Sequence, residues 1–180
     1  PVSDFDVLAF AVSFEWDYTN VVTMLRLAGM APKAAARRAR DPLVVIGGAV
    51  TFVNPEPLAP FADVIAAGEG EVLVPDLVTV LREGLDRDEQ AARLASFRGF
   101  YVPSLYEVHY HSDGTIARFE PRPGSGAPAV VKKAAVKSAD RLDPPATSIF
   151  TPDTEFGSRF LIEVVRGCAN LCRFCWAGYN

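Results

Sequence analysis

The chain has 180 residues, an apolar share of 49% and a formal net charge of −4. That apolar share belongs to a globular chain with a core of its own, not to a disordered one, and the net acidity argues against indiscriminate neutralisation of nucleic-acid phosphates. No apolar run reaches the roughly 18–20 residues of a membrane-spanning helix, and the opening "PVSDFDVLAF" lacks the basic and apolar regions of a signal peptide.

Residues 5–12, "FDVLAFAV", are nearly all apolar, which predicts a strand buried on both faces. Asp17 is placed to cap a helix in which Tyr18, Val21, Val22, Leu25 and Ala28 recur at helical spacing, with Gly29 as its stop. The basic run "KAAARRAR" at 33–40 reads as a solvated helix or loop, phosphate contact being the alternative. "PLVVIGG" (42–48) predicts a second buried strand and a glycine turn, and "NPEPLAPFA" (54–62) a short helix with proline in its first turn. "ADVIAAGEGE" (62–71) predicts a third strand and glycine turn, followed by a helix over 71–84 that ends before Gly84. Strand–helix alternation of this kind builds a parallel sheet with helices on its faces. The expected fold class is α/β, an open, Rossmann-like parallel-sheet unit over residues 1–85.

Residues 86–98 predict a polar helix. The period then changes to two, and Asp113-Gly114 marks a hairpin turn between Val108 and Tyr110 on one side and Ile116 and Phe119 on the other. "PRPGSGAP" (121–128) has linker composition, residues 129–137 suit one more strand, and 139–158 form a Pro-rich connector. The domain reading is therefore 1–85, then 86–158 as helix, hairpin and connector, then 159–180. In the last, "RFLIEVVRG" (159–167) is a predicted strand leading into a cysteine loop.

All three cysteines of the chain, Cys168, Cys172 and Cys175, lie in that loop. An odd, clustered set does not make a secreted disulfide framework and suits a reducing cytoplasm. Thiolates are the usual ligands of iron–sulfur clusters. Three ligands leave one metal position open, the condition for an exogenous molecule to bind metal directly. Two other readings stay open: a zinc site completed by His109 or His111, and a disulfide with a spare thiol.

"RGCANLCRFC" resembles the signature of the radical S-adenosylmethionine (radical SAM) enzymes, with the C-x3-C-x2-C spacing and an aromatic residue, Phe174, before the last cysteine. The resemblance implies a [4Fe–4S] cluster held by Cys168, Cys172 and Cys175. Its open iron would chelate the amino and carboxylate groups of S-adenosylmethionine, Phe174 would lie near the adenine, and reductive cleavage would release a 5′-deoxyadenosyl radical. It also implies that "RFLIEVV" is the first strand of a partial barrel, and that an electron donor such as a flavodoxin or ferredoxin serves the cluster. Trp176 suits either a shield over the cluster or a core aromatic.

The front half resembles the cobalamin (B12)-binding-like domain that precedes the barrel in one subfamily of these enzymes. Gly47, Gly48, Gly68, Glu69, Gly70 and Glu71 match its two turns. The likeness covers about residues 4–84 and 159–180. It makes Gly47, Gly48, Gly68, Glu69 and Gly70 candidate cofactor-binding residues beyond the strand ends, where open α/β sheets hold ligands. Tight strand-to-helix turns are the alternative for the glycines, and the helix N-terminus for the glutamates. The Asp-x-His-x-x-Gly motif that carries an axial histidine is missing; the only histidines are His109 and His111. Cobalamin is thus expected only without a protein histidine on cobalt. With no initiator Met at its start and its last residue soon after Cys175, the chain is expected to be the front of a longer enzyme, inactive alone. A non-catalytic α/β module binding cobalamin, substrate or a partner is the alternative function. The substrate and reaction subtype do not follow from these residues.

Overall fold

The computed structural model describes residues 2–138, 140, 142–143, 146, 150–154 and 156–178, with no account of the Trp176 side chain. It divides into compact units of residues 1–136 and 137–180.

The first unit is built on a four-stranded sheet of β1 (Val7–Ala11), β2 (Leu43–Gly47), β3 (Val64–Ala66) and β4 (Phe100–Tyr101), in that spatial order. β1 and β2 run parallel in the register Val7↔Leu43 to Ala11↔Gly47, and β3 joins β2 in parallel through Val45↔Val64 and Ile46↔Ile65. β2 is central, and Leu43, Val44, Val45 and Ile46 are all buried, which is why its sequence is apolar without alternation.

Each face of the sheet has its own cover. The helix α1 (Tyr18–Leu27) and a 3-10 segment at Glu56–Phe61 pack Val21, Leu25 and Leu58 against Val44, Ile46 and Ile65. The helices α2 (Gly70–Leu81) and α3 (Arg87–Leu94) bring Leu73, Val80 and Leu94 against Leu43, Val45, Val64 and Phe100. The expected α/β class is the one observed. β4 adds a strand that the sequence reading merged with the hairpin; it pairs antiparallel to β3 through Ile65↔Tyr101 and Ala66↔Phe100.

Local chemistry explains several element ends. Asp17 does not cap α1: its backbone is already helical, and its carboxylate accepts from the Asn20 side-chain amide at 3.0 Å. The 54–62 segment is 3-10 rather than α-helical. Pro60 lies inside it, and proline removes an N–H and crowds the preceding turn. α3 starts with a full capping box. Asp86 accepts from the Glu89 N–H at 2.9 Å, and Glu89 accepts from the Asp86 N–H at 3.0 Å. Asp86→Ala is expected to lower the unfolding free energy by about 1 kcal/mol, read as a lower urea midpoint at unchanged slope.

The hairpin of β5 (Tyr106–Tyr110) and β6 (Ile116–Pro121) turns at Asp113-Gly114 as predicted. Its inner aromatics pack as a cluster, with Tyr106 5.1 Å from Tyr101 and 5.3 Å from Phe119 between ring centroids. The strand expected over 129–137 is reduced to one parallel bridge, Ala134 with Gly68.

In the second unit, the predicted strand at 159–167 is not formed. A strand needs a neighbour to take its N–H and C=O groups, and no described residue of 137–178 offers one. Its apolar side chains, Phe160, Leu161, Ile162, Val164 and Val165, are exposed.

Candidate functional site

The cysteine segment begins after a two-point ion pair. Arg166 Nε and a terminal guanidinium nitrogen donate to the two carboxylate oxygens of Glu163 at 2.7 and 2.8 Å, holding that carboxyl below the usual carboxylate range. The chain then turns at Gly167 (φ 79°) and at Leu171 (φ 49°). The Cys175 N–H donates to the Cys172 carbonyl at 3.0 Å and closes the Cys172–Cys175 turn. A Cβ on Gly178 would lie 3.0 Å from the Leu171 Cα and 3.3 Å from the Cys168 carbonyl oxygen, so the segment folds back over the first cysteine.

All three thiols are free; Cys168 is exposed, and Cys172 and Cys175 are half-buried. Phe174 is 93% exposed. Three reduced, accessible thiols within one looped segment are a donor set suited to a thiolate-ligated cluster.

The glycine turns of the first unit lie at the carboxyl ends of β2 and β3. Around them is an open cavity of about 320 Å³, whose lining includes Phe10, Gly47, Gly48, Gly68, Gly70 and Phe100. Two of the glycines are fixed by the chain itself. At Gly48 (φ 94°) an added Cβ would meet the Val12 carbonyl oxygen at 2.5 Å, and at Gly68 (φ 146°) the Ala134 carbonyl oxygen at 2.3 Å. Gly47 and Gly70 are less constrained: their nearest contacts would be 3.4 and 4.0 Å away. Glu69 accepts a short hydrogen bond from the Val136 N–H, and its own N–H donates to the Ala134 carbonyl at 3.0 Å. Glu69 thereby ties residues 134–136 across the turn.

A larger cavity of about 730 Å³ lies beside the amino end of β3, lined in part by Arg37, Glu56, Asp63, Tyr101 and Phe119. Burial, then the nearby Glu56 carboxylate, push the Tyr101 phenol well above its usual range.

Arg37 corrects the reading of the basic run as wholly solvated. Its side chain is 0% exposed and pairs with Asp63 at 2.7 Å. Arg37 is committed to the interior, whereas Arg38 is half-exposed and pairs with Asp41 at 2.8 Å. His109 lies between two glutamates of its own hairpin, Glu107 and Glu120, at 3.3 and 3.4 Å. Sequence reasoning passed over these glutamates. Counting both strands outward from the Asp113-Gly114 turn would have set them opposite each other.

A family model described as "Radical SAM proteins, N-terminal" matches residues 1–103. The chain is 25% identical over 176 residues to the uncharacterized protein MJ0966 of Methanocaldococcus jannaschii, an alignment covering 98% of this chain and 31% of that protein. The chain thus spans about a third of the length of that relative. No solved structure matches.

Proposed function

The chain belongs to the radical SAM proteins through its N-terminal domain, and from that premise we propose that it carries the cluster-binding segment of an iron–sulfur protein acting on S-adenosylmethionine. The observation that carries the proposal is the looped segment with three free, accessible thiols at Cys168, Cys172 and Cys175. Cys168, Cys172 and Cys175 would together hold a [4Fe–4S] cluster, three thiolates being one fewer than its four irons. When bound, such a cluster supplies one electron at low potential, the chemistry that reductive cleavage of a sulfonium requires.

The chain's own contributions are more modest and more specific. Gly167 and Leu171 set the turns that present the cysteines. The Glu163–Arg166 pair braces the segment just before them. Phe174, exposed beside Cys175, offers an aromatic face for stacking on a purine. On this proposal the substrate radical chemistry, served by an external electron donor such as a flavodoxin or ferredoxin, is a property of the whole protein.

A second reading concerns the first unit, which we propose binds a ligand at the carboxyl ends of its strands. The cavity at Gly47, Gly48, Gly68 and Gly70 supports it. Both histidines of the chain are on or next to β5, so cobalamin bound at this cavity is expected to lack an axial histidine from the chain. Titration with a cobalamin, followed by its visible spectrum, tests this directly; an unchanged spectrum at high protein concentration counts against it.

Anaerobic reconstitution of the full chain with iron and sulfide tests the first proposal. The expected product carries about four iron and four sulfide per chain, with broad visible absorption and an electron paramagnetic resonance signal that S-adenosylmethionine perturbs after reduction. Cys172→Ala is expected to abolish that loading while leaving the fold of the first unit intact by circular dichroism. Loading with a single zinc in place of a cluster, or a cluster indifferent to Cys172→Ala, would sink the assignment.

A further inference from the structure

The β5–β6 hairpin gathers three side chains of metal-ligating type, outside the cysteine segment in sequence. Side chains alternate across a hairpin. Val108 and Phe119 face each other across the strands on one side, where Phe119 stacks on Tyr106. Glu107 and His109, neighbours on the other side of β5, therefore share the outer face with Glu120, the direct cross-strand partner of Glu107. A ladder break between His109 and Tyr110 falls beside them.

One donor atom from each side chain, the His109 imidazole nitrogen and a carboxylate oxygen of Glu107 and Glu120, lies within 4.8 Å of the others. The His109 Nε2 is 3.3 Å from Glu107 Oε1 and 3.4 Å from Glu120 Oε1. Donors at zinc distances of about 2.0–2.2 Å in a tetrahedron stand roughly 3.3–3.6 Å apart, and these two separations fall in that range. Nε2 is closed off from solvent and makes no hydrogen bond, although the rest of the imidazole is partly exposed. Two carboxylates set directly opposite on a hairpin repel one another. Arg122 approaches Glu107 Oε2, the oxygen turned away from His109, at 3.8 Å, the position of an outer partner that orients a metal-binding carboxylate, whereas Arg118 lies 2.9 Å from Glu120 Oε1 itself and has to give way for that oxygen to bind a cation.

We propose that Glu107, His109 and Glu120 form a mononuclear site for a divalent zinc-type ion. One imidazole and two carboxylates are a borderline-hard set, suited to zinc more than to soft, thiophilic metals. Three protein donors leave the fourth tetrahedral position to water or an external ligand. The competing account is a protonated His109 paired with both glutamates and no metal.

The test uses the full chain with Cys168, Cys172 and Cys175 replaced by serine, so that thiols cannot take the zinc. Zinc added to metal-free protein is expected to bind at about one per chain and to shift the nitrogen-15 resonance of His109 Nε2. His111→Ala serves as control and assigns the spectrum, since the chain has only two histidines. His109→Ala and Glu107→Gln are each expected to weaken zinc binding by about tenfold or more. Glu120→Gln repeats the test should either variant lose its fold by circular dichroism. The proposal fails if the thiol-free protein binds no zinc, if His109 only titrates with pH and ignores zinc, or if binding follows His111 instead.

Discussion

Arg37→Ala is expected to lower the unfolding free energy by about 3–5 kcal/mol, the cost of removing one member of a buried ion pair. The Arg37 side chain is 0% exposed and that of Asp63 8%. The guanidinium donates to four acceptors: the Ala31 carbonyl at 3.2 Å, the Pro32 carbonyl at 2.7 Å, the Asp63 carboxylate at 2.7 Å and the Phe61 carbonyl at short range. Asp63 also accepts the Val44 N–H at 2.8 Å, at the start of the central strand. The pair as a whole adds little net stability, because desolvating two charges offsets most of their attraction. The loss comes from the asymmetry of truncation, which strands a buried carboxylate and three carbonyls without their donor. Arg37→Lys keeps the charge but cannot serve four acceptors from a fixed fork, so it should fall in between. Arg38→Ala is the control: its partner Asp41 is buried, but Arg38 itself is half in water, and the change should move the midpoint far less than Arg37→Ala does. Urea unfolding of the four proteins decides the matter. An Arg37→Ala midpoint close to that of the parent would show that the interior at Asp63 is wetter than its burial implies.

This ion pair marks a limit of sequence reading. "PLVVIGG" and the 71–84 helix were legible because their signals are local: an unbroken apolar run, and apolar residues at helical spacing. The Asp113-Gly114 turn was legible for the same reason. Arg37 looks like any member of a basic run, and its partner lies far along the chain at Asp63, reached only once β3 is seated beside β2. The segment 159–167 failed in the opposite direction. Its apolar residues state a demand for burial without naming what meets it, and strand conformation waits on a partner. β4 escaped notice because two residues carry too little pattern to announce a strand. At the candidate sites, the cysteine spacing was readable outright. The grouping of Glu107, His109 and Glu120 needed the hairpin register as well as the residue types.

Gly68→Ala is expected to cost about 3 kcal/mol or more, through two effects of about 1–3 kcal/mol each: a backbone angle (φ 146°) that side chains rarely adopt, and overpacking against a fixed neighbour. The added Cβ would meet Ala134 at its carbonyl oxygen, nitrogen and Cβ, at 2.3, 2.7 and 2.8 Å. Ala134 cannot retreat cheaply. Its N–H donates to the Ala67 carbonyl at 3.0 Å, its carbonyl accepts from Glu69 at 3.0 Å, and its side chain is fully buried. Gly70→Ala, two residues on, supplies the contrast. Gly70 has a negative φ at the first position of α2, where alanine is accommodated, and its added Cβ would only touch Val74 at 4.0 Å. It should be neutral, or stabilising by about 0.4–1 kcal/mol. The pair separates the two reasons for a glycine-rich turn. A stability loss confined to Gly68→Ala assigns that glycine to the close approach of residues 134–136. Any loss of ligand binding in Gly70→Ala, which keeps the fold, would then report on the cavity at the strand ends. Equal, small stability changes in both variants would mean that the Ala134 segment does not hold the Gly68 turn in solution.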